Sequence, residues 1–495
     1  MAGNELPERD PEVGQLVHVR SRRWLVEEVR PGDKPGESSV VRLACAEDDA
    51  QGEEIEVFWD VELDRRVLKQ EGWGQLAARG FDTPRRFAAF LHALRWNCVT
   101  ATDPNLFQAP FRAGIKLDAY QMAPLRKALR MPRVNLFIAD DTGLGKTIER
   151  CRTLLARSRD WVRFEVEPFR NALSCSLELM GGEPLRRALT ESGQTVWTLP
   201  DLDGQARGDP AWAGTLDSLR RPRRRDQRVA DWRKQEPPRP VVFEDAGVLT
   251  DETVHLHLEQ RLARRLLARF RSQGFLHHDL SRACLSQAAD SIPRVVLLGR
   301  LALYGGRAER LHEEVVAVTA RWIEPERRQE PLRAYAREAE GRTLDLLEAS
   351  LSGSGPRPVG EAVERRLLPA ATRDILELRP RLEPRARELA ATATKRLRER
   401  GERESSELRA ILERQRQRVR DELDAGERDF AQRTLSFSRE EERQLRADMR
   451  SWRARLERFD RDLDREPRRV REFYEVKVAP PVEPLGIVYL WPETN

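Results

Sequence analysis

Apolar and polar residues alternate from Gln15 to Val29, with Val17, Val19, Trp24, Val26 and Val29 on the apolar side. A period of two belongs to a strand with one buried face. Val40 to Ala44 and Ile55 to Val61 are two further strands by the same criterion. Gly32-Asp33-Lys34-Pro35-Gly36 reads as the turn between strands. Residues 1–72 are therefore expected to form a small β-rich domain of the SH3-like kind. Residues 73–133 change to helical spacing, broken at Pro104 and Pro110. A short apolar strand follows, then a glycine loop and a helix, so residues 73–160 read as one unit.

Residues 161–240 lose this regularity. Gly181-Gly182, Pro200, Gly204, Gly208 and Pro210 punctuate them, followed by Arg220-Arg221-Pro222-Arg223-Arg224-Arg225 and Pro237-Pro238. The stretch reads as an irregular basic linker. Its arginine run is either a solvated loop or a phosphate-contacting patch. Residues 241–384 regain an α/β pattern. Val241 to Phe243 and Val295 to Leu298 are strand candidates, and Leu256, Leu262, Leu266, Leu267 and Phe270 mark an amphipathic helix between them. Ser350 to Pro356 reads as a linker inside that unit.

Residues 385–475 carry two apolar seams. Leu389, Ala393, Leu397, Leu408, Leu412, Val419 and Leu423 form the first. After a break expected near Gly426, Leu445, Met449, Trp452, Leu456, Phe459 and Leu463 form the second. Spacings of three, four and seven predict an antiparallel coiled-coil hairpin. Trp452 and Phe459 read as seam residues. The tail, residues 476–495, holds the apolar β-like run Glu483 to Pro492, expected to dock on a folded domain. The fold class expected is mixed α/β, mainly helical.

Composition changes this picture only in part. A chain of 495 residues implies roughly three domains at about 100–200 residues each. Charged residues make up 35%, and mean hydropathy is −0.66. The hairpin accounts for that polarity without disorder. The longest apolar runs, Leu136 to Ala139 and Val295 to Leu298, fall far short of the ~18–20 residues of a membrane span. Residues 1–14 show no basic region followed by an apolar core, so no secretory leader is expected. Five cysteines stand far apart with no C-x-x-C pair, which argues against a disulfide framework or structural zinc. A cytoplasmic location is the expectation. Net charge is +5, because 88 basic residues nearly cancel 83 acidic ones. Arginine far outnumbers lysine, from codon bias or from selection for phosphate contacts.

The chemistry lies in Asn135-Leu136-Phe137-Ile138-Ala139-Asp140-Asp141-Thr142-Gly143-Leu144-Gly145-Lys146-Thr147-Ile148-Glu149. Gly143 and Gly145 let backbone N–H groups face phosphate oxygens with no Cβ in the way. Lys146 would bridge the β- and γ-phosphates, and Thr147 would place its hydroxyl on Mg²⁺. The strict phosphate-loop pattern has glycine where Asp140 stands. Upstream, Tyr120-Gln121 offers an amide able to both donate to and accept from adenine.

Together these segments resemble the opening of a Swi/Snf-type superfamily-two helicase, where A-D-D/E-x-G-L-G-K-T replaces the strict loop. Val254 to Glu259, Gly274 to Ala283 and Glu483 to Pro492 look like the C-terminal region of the DrmD-like helicases of the DISARM phage-defence system. Residues 73–150 and about 170–495 are similar to the two ends of such proteins. The resemblance implies ATP and Mg²⁺ as cofactors. It places ATP on Gln121, Asp141, Thr142, Gly143, Leu144, Gly145, Lys146 and Thr147, and Mg²⁺ on Thr147. Residues 73–160 would then be the start of a RecA-like lobe.

A motor of this class also needs a D-E-x-H box and arginine fingers from a second lobe. The chain has no room for them. Asp251-Glu252-Thr253-Val254-His255 is one residue too long and reads as a helix N-terminal cap. Gly299-Arg300 and Gly306-Arg307 read as a packed strand and turn. His255/His257 and His277/His278 read as packing or surface residues before a metal cluster. No catalytic residue is assigned. The expectation is an internally shortened relative of a DNA translocase that binds ATP weakly and does not move. Duplex DNA and other defence-system proteins are the implied partners, with no membrane. The alternatives are a non-catalytic DNA- or partner-binding remnant, or a decayed gene product.

Overall fold

A computed structural model describes residues 10–12, 15–20, 22–31, 37–45, 54–68, 72–98, 163–190, 193–200, 210–244, 252–274, 277–306, 310–352, 359–432 and 439–493. The alternation in the first strands produces five: β1 Leu16–Val19, β2 Arg22–Arg30, β3 Val40–Cys45, β4 Glu54–Phe58 and β5 Arg66–Val67. They form one antiparallel sheet in the order β4-β3-β2-β1-β5. Its inner face buries Val17, Val19, Trp24, Val26, Val41, Leu43, Val57 and Trp59. The opposite face is not wholly wet. Leu25 and Ala44 pack on Ala302 and Tyr304, which ties this sheet to the centre of the molecule.

The described residues between 161 and 240 form helices and strands, which corrects the irregular linker expected there. Helix α1, Pro84–Asn97, packs along helix α2, Val166–Leu179. Phe169, Ala172, Leu173, Cys175 and Leu177 of α2 are fully buried. Short helices α3, Pro210–Asp217, and α4, Val229–Gln235, follow. Strands β6 Arg186–Leu189, β7 Thr195–Thr198, β8 Val241–Val242 and β9 Val254–His255 make a second sheet. Glycine and proline punctuation hid these elements, because each is short and draws its stability from the core it joins.

The segment expected to cap a helix is also different. Val254–His255 is a strand, parallel to β8. The helix beyond it, α5 Arg261–Arg271, is capped by Gln260, whose side-chain oxygen accepts from the Leu262 and Ala263 N–H groups at 2.6 and 3.4 Å. The apolar residues expected for that helix are all buried.

The third sheet is central. It holds β10 Ala283–Ala288, β11 Arg294–Tyr304, β12 Arg310–Arg321 and β13 Glu483–Pro492, in the order β10-β13-β11-β12. Strand β13 is the expected β-like tail. It lies inside the sheet, parallel to β10 and antiparallel to β11. All eleven residues of β11 are buried because both faces are covered. Val296 and Leu298 share one core cluster with residues of α1, α2, α5 and helix α6, Arg337–Ser352. Val295, Leu297, Leu301 and Leu303 meet helix α7, Glu361–Gln432. Ser350 and Leu351 belong to α6 and are buried, so the linker expected from Ser350 starts too early. Its residues 353–356 lie outside the described residues.

Helix α7 is 72 residues long and starts well before residue 385. Pro369, Pro380 and Pro384 lie within it. Proline weakens an isolated helix by removing a donor and crowding the preceding turn. Here Leu367, Ala371, Ile375, Leu378 and Leu382 of the same stretch are buried against the sheet, and that packing overrides the local preference. Asp374 adds a polar anchor, accepting from Trp322 Nε1 at 3.0 Å, Arg328 at 2.6 Å and the Tyr489 hydroxyl at 2.7 Å.

The second half of α7 pairs with helix α8, Arg439–Phe473, as the hairpin expected from the seams. Ala393, Leu397, Val419, Leu423, Met449 and Phe459 are buried in it. No break occurs at Gly426, where the helix is continuous. A Cβ there would lie 3.1 Å from the Trp452 ring, so this glycine serves close packing and not a turn. No helix among the described residues is long and apolar enough to cross a membrane.

Candidate functional site

Gln121, Asp141, Thr142, Gly143, Leu144, Gly145, Lys146 and Thr147 all lie outside the described residues, as does Cys151. The structure describes instead the frame that residues 99–162 leave and rejoin. Helix α1 starts with Thr83 as its cap, accepting from Arg86 N–H at 3.4 Å, and Pro84 in its first turn. It ends at Cys98. The chain returns at Arg163, and Trp96 holds it there. Trp96 Nε1 donates to the Arg163 carbonyl at 3.4 Å. Its ring meets Phe164 edge-on at 5.6 Å and Phe169 at 5.7 Å, and stacks on His92 at 5.5 Å. Glu348 of α6 pairs with Arg95 at 2.6 Å and with Arg163 at 3.0 Å. Exit and re-entry of the motif-bearing segment are thus fastened at one point.

The electrostatics of this clamp are specific. Burial opposes the Glu348 charge, but Arg95 and Arg163 outweigh it and hold the carboxyl below its usual range. Burial, helped by Arg95, pushes the His92 imidazole down to about 4, so it is neutral at pH 7. A histidine of pKa near 6.5 when unfolded binds more protons in the unfolded state between pH 6.5 and about 4. Its contribution to stability is complete above pH 6.5 and is lost as pH falls through about 4. The loss is about 3 kcal/mol at most. His92→Leu is expected to flatten the urea-measured stability curve over that window relative to the wild type. Parallel curves would contradict this.

Beside Cys98 lies a buried ionic cluster. Arg300 reaches Glu313 at 2.6 Å and Glu483 at 3.6 Å, and Arg310 reaches Glu313 at 3.1 Å. Burial works against the Glu313 charge, yet Arg310 and Arg300 hold its carboxyl down at about 2. Burial, with Glu313 next, pushes the Cys98 thiol up to about 12, which leaves it unreactive. A cavity of about 20 Å³ adjoins Arg271, Arg282, Arg300 and Glu483. That is room for about one water molecule and not for a nucleotide. The Gly299-Arg300 pair is therefore part of a packed strand, as expected.

His255 and His257 have rings 5.9 Å apart, and among the described residues no group of three or more His, Cys, Asp or Glu is placed to hold a metal ion. Cys45, Cys98, Cys175 and Cys284 are buried.

Charge separates the segment from its frame. Residues 99–162 hold eleven Lys and Arg against six Asp and Glu. The rest of the chain is balanced, so the whole net charge of +5 lies in this segment. The clamp was missed in the sequence because its partners, Trp96, Arg163 and Glu348, are far apart along the chain. The one available signal was aromatic residues, Trp96 and Phe164, on both sides of the motif. No protein-family model matches the chain, and no curated protein matches it.

Proposed function

We propose that this chain is an internally shortened relative of the Swi/Snf-like DNA helicases of phage defence, which binds ATP without turning it over. The sequence that carries the reading is Leu136 to Thr147, an apolar run, Leu136 to Ala139, leading into D-D-T-G-L-G-K-T. In this reading residues 1–72 are an SH3-like module and residues 73–160 begin a RecA-like lobe. Gln121 reads the adenine edge. The backbone from Asp141 to Gly145 surrounds the phosphates, Lys146 neutralises them, and Thr147 holds Mg²⁺. The metal would supply charge neutralisation between the β- and γ-phosphates.

One structural fact and one feature of the sequence support it. The segment's ends are fastened together by Trp96 and Glu348, as fits an excursion from a scaffold made of the regions flanking a motor. The segment also holds the entire positive excess of the chain, as a polyanion site requires. No D-E-x-H box follows, so nothing activates water for hydrolysis. The test is phosphate release from ATP by the purified chain, with and without duplex DNA. Release indistinguishable from the protein-free rate is expected in both cases. DNA-stimulated turnover would contradict the non-catalytic part of the reading.

A further inference from the structure

We propose that the loop between α3 and α4, residues 221–228, is a contact surface for the backbone phosphates of duplex nucleic acid. It rests on the kinship with DNA helicases in the proposed function, which implies duplex DNA as a partner, and adds where that contact is made. Arg221, Arg223, Arg224, Arg225 and Arg228 are all exposed, with Asp226 the one acid among them. The loop is built and not slack. Arg220 is buried beneath it, donating to the Arg233 and Glu236 carbonyls at 3.0 and 2.6 Å. Trp232 Nε1 donates to the Arg221 carbonyl at 2.9 Å, and Arg239 donates to the Leu219 and Arg220 carbonyls. At the crown, Gln227 N–H donates to the Arg224 carbonyl and Arg223 to the Gln227 carbonyl.

What is unusual is the lack of neutralisation. On the helical hairpin, arginines meet carboxylates: Arg400 with Glu404, Arg416 with Asp460, Arg453 with Glu427, Arg468 with Glu472. In the loop, Arg224, Arg225 and Arg228 form no ion pair among the described residues. The nearby Asp217 is taken by Arg233 at 2.6 Å and Arg220 at 3.4 Å. A fixed backbone that crowds like charges without partners is disfavoured in the free protein and relieved by a polyanion. Guanidinium forks match phosphate oxygens. The loop exposes no aromatic or leucine side chain to enter a bilayer, and Val229 is its one exposed aliphatic neighbour, so nucleic acid fits better than a membrane.

The experiment is fluorescence anisotropy of the full chain with a labelled 20-base-pair duplex at several salt concentrations. The triple variant Arg223→Ala/Arg224→Ala/Arg225→Ala is expected to weaken binding about tenfold or more at low salt. The slope of log K against log[salt] should fall by about 2–3, at roughly 0.9 per lost phosphate contact. Its melting temperature should match the wild type, because the three side chains are exposed; if it does not, Arg228→Gln alone should still lower the slope by about 1. Unchanged affinity and slope in both variants would overturn the loop while leaving DNA binding by the chain intact. No duplex binding by the wild type would overturn both. Displacement of the duplex by polyglutamate as readily as by unlabelled duplex would also overturn the assignment to nucleic acid.

Discussion

Replacing Glu313 with alanine is expected to lower stability by about 3–5 kcal/mol, read as a shift in the urea midpoint. Glu313 is 1% exposed and stands between two buried guanidinium groups, Arg300 and Arg310. Without it, Arg300 keeps only the longer contact to Glu483 at 3.6 Å. A buried cation left short of charge is costly, whereas removing both members of a pair is tolerated. The double variant Arg300→Met/Glu313→Leu should therefore lose less than Glu313→Ala alone. A loss under about 1 kcal/mol for Glu313→Ala would show that water reaches the cluster and that the buried network does not hold β11 to β12.

Trp96→Ala is the second large effect, at about 3–5 kcal/mol. The ring is 1% exposed and touches His92, Phe164 and Phe169. Its loss leaves a cavity between α1 and the start of α2, beside Phe164 and Phe169. Trp96→Phe separates the causes. It keeps an aromatic ring and loses the N–H donated to Arg163, worth about 1 kcal/mol. Both losses are read from urea unfolding. If Trp96→Ala cost no more than Trp96→Phe, the ring packing would not be what closes the segment.

The first sheet was legible in part, because its period-two pattern faces one small core; the turn at Arg20 that splits Gln15 to Val29 into β1 and β2, and the short β5, were not read. The start of β11 was legible as the apolar run Val295 to Leu298, and the hairpin through its seams. What the pattern did not reveal is where these elements go. Nothing local in Glu483 to Pro492 states that it inserts between β10 and β11. Nothing near Pro384 announces a helix already running from Glu361, because sheet packing decides that. The stretch from 161 to 240 was misread for the opposite reason: abundant Gly, Pro and Arg concealed Phe169, Trp212 and Trp232, which are buried. The candidate nucleotide residues rest on motif chemistry alone, and the fold contributes the clamp that holds their segment at its base.

The central claim is a phosphate-gripping segment carried by a scaffold without a motor. Calorimetric titration of MgATP into the full chain tests it most directly, with Lys146→Ala as the comparison. Weak saturable binding is expected, with Kd about 0.1–1 mM, or roughly −4 to −5.5 kcal/mol. Lys146→Ala should abolish it while the urea midpoint stays unchanged. Equal heats from both proteins, or no binding by either, would contradict the account.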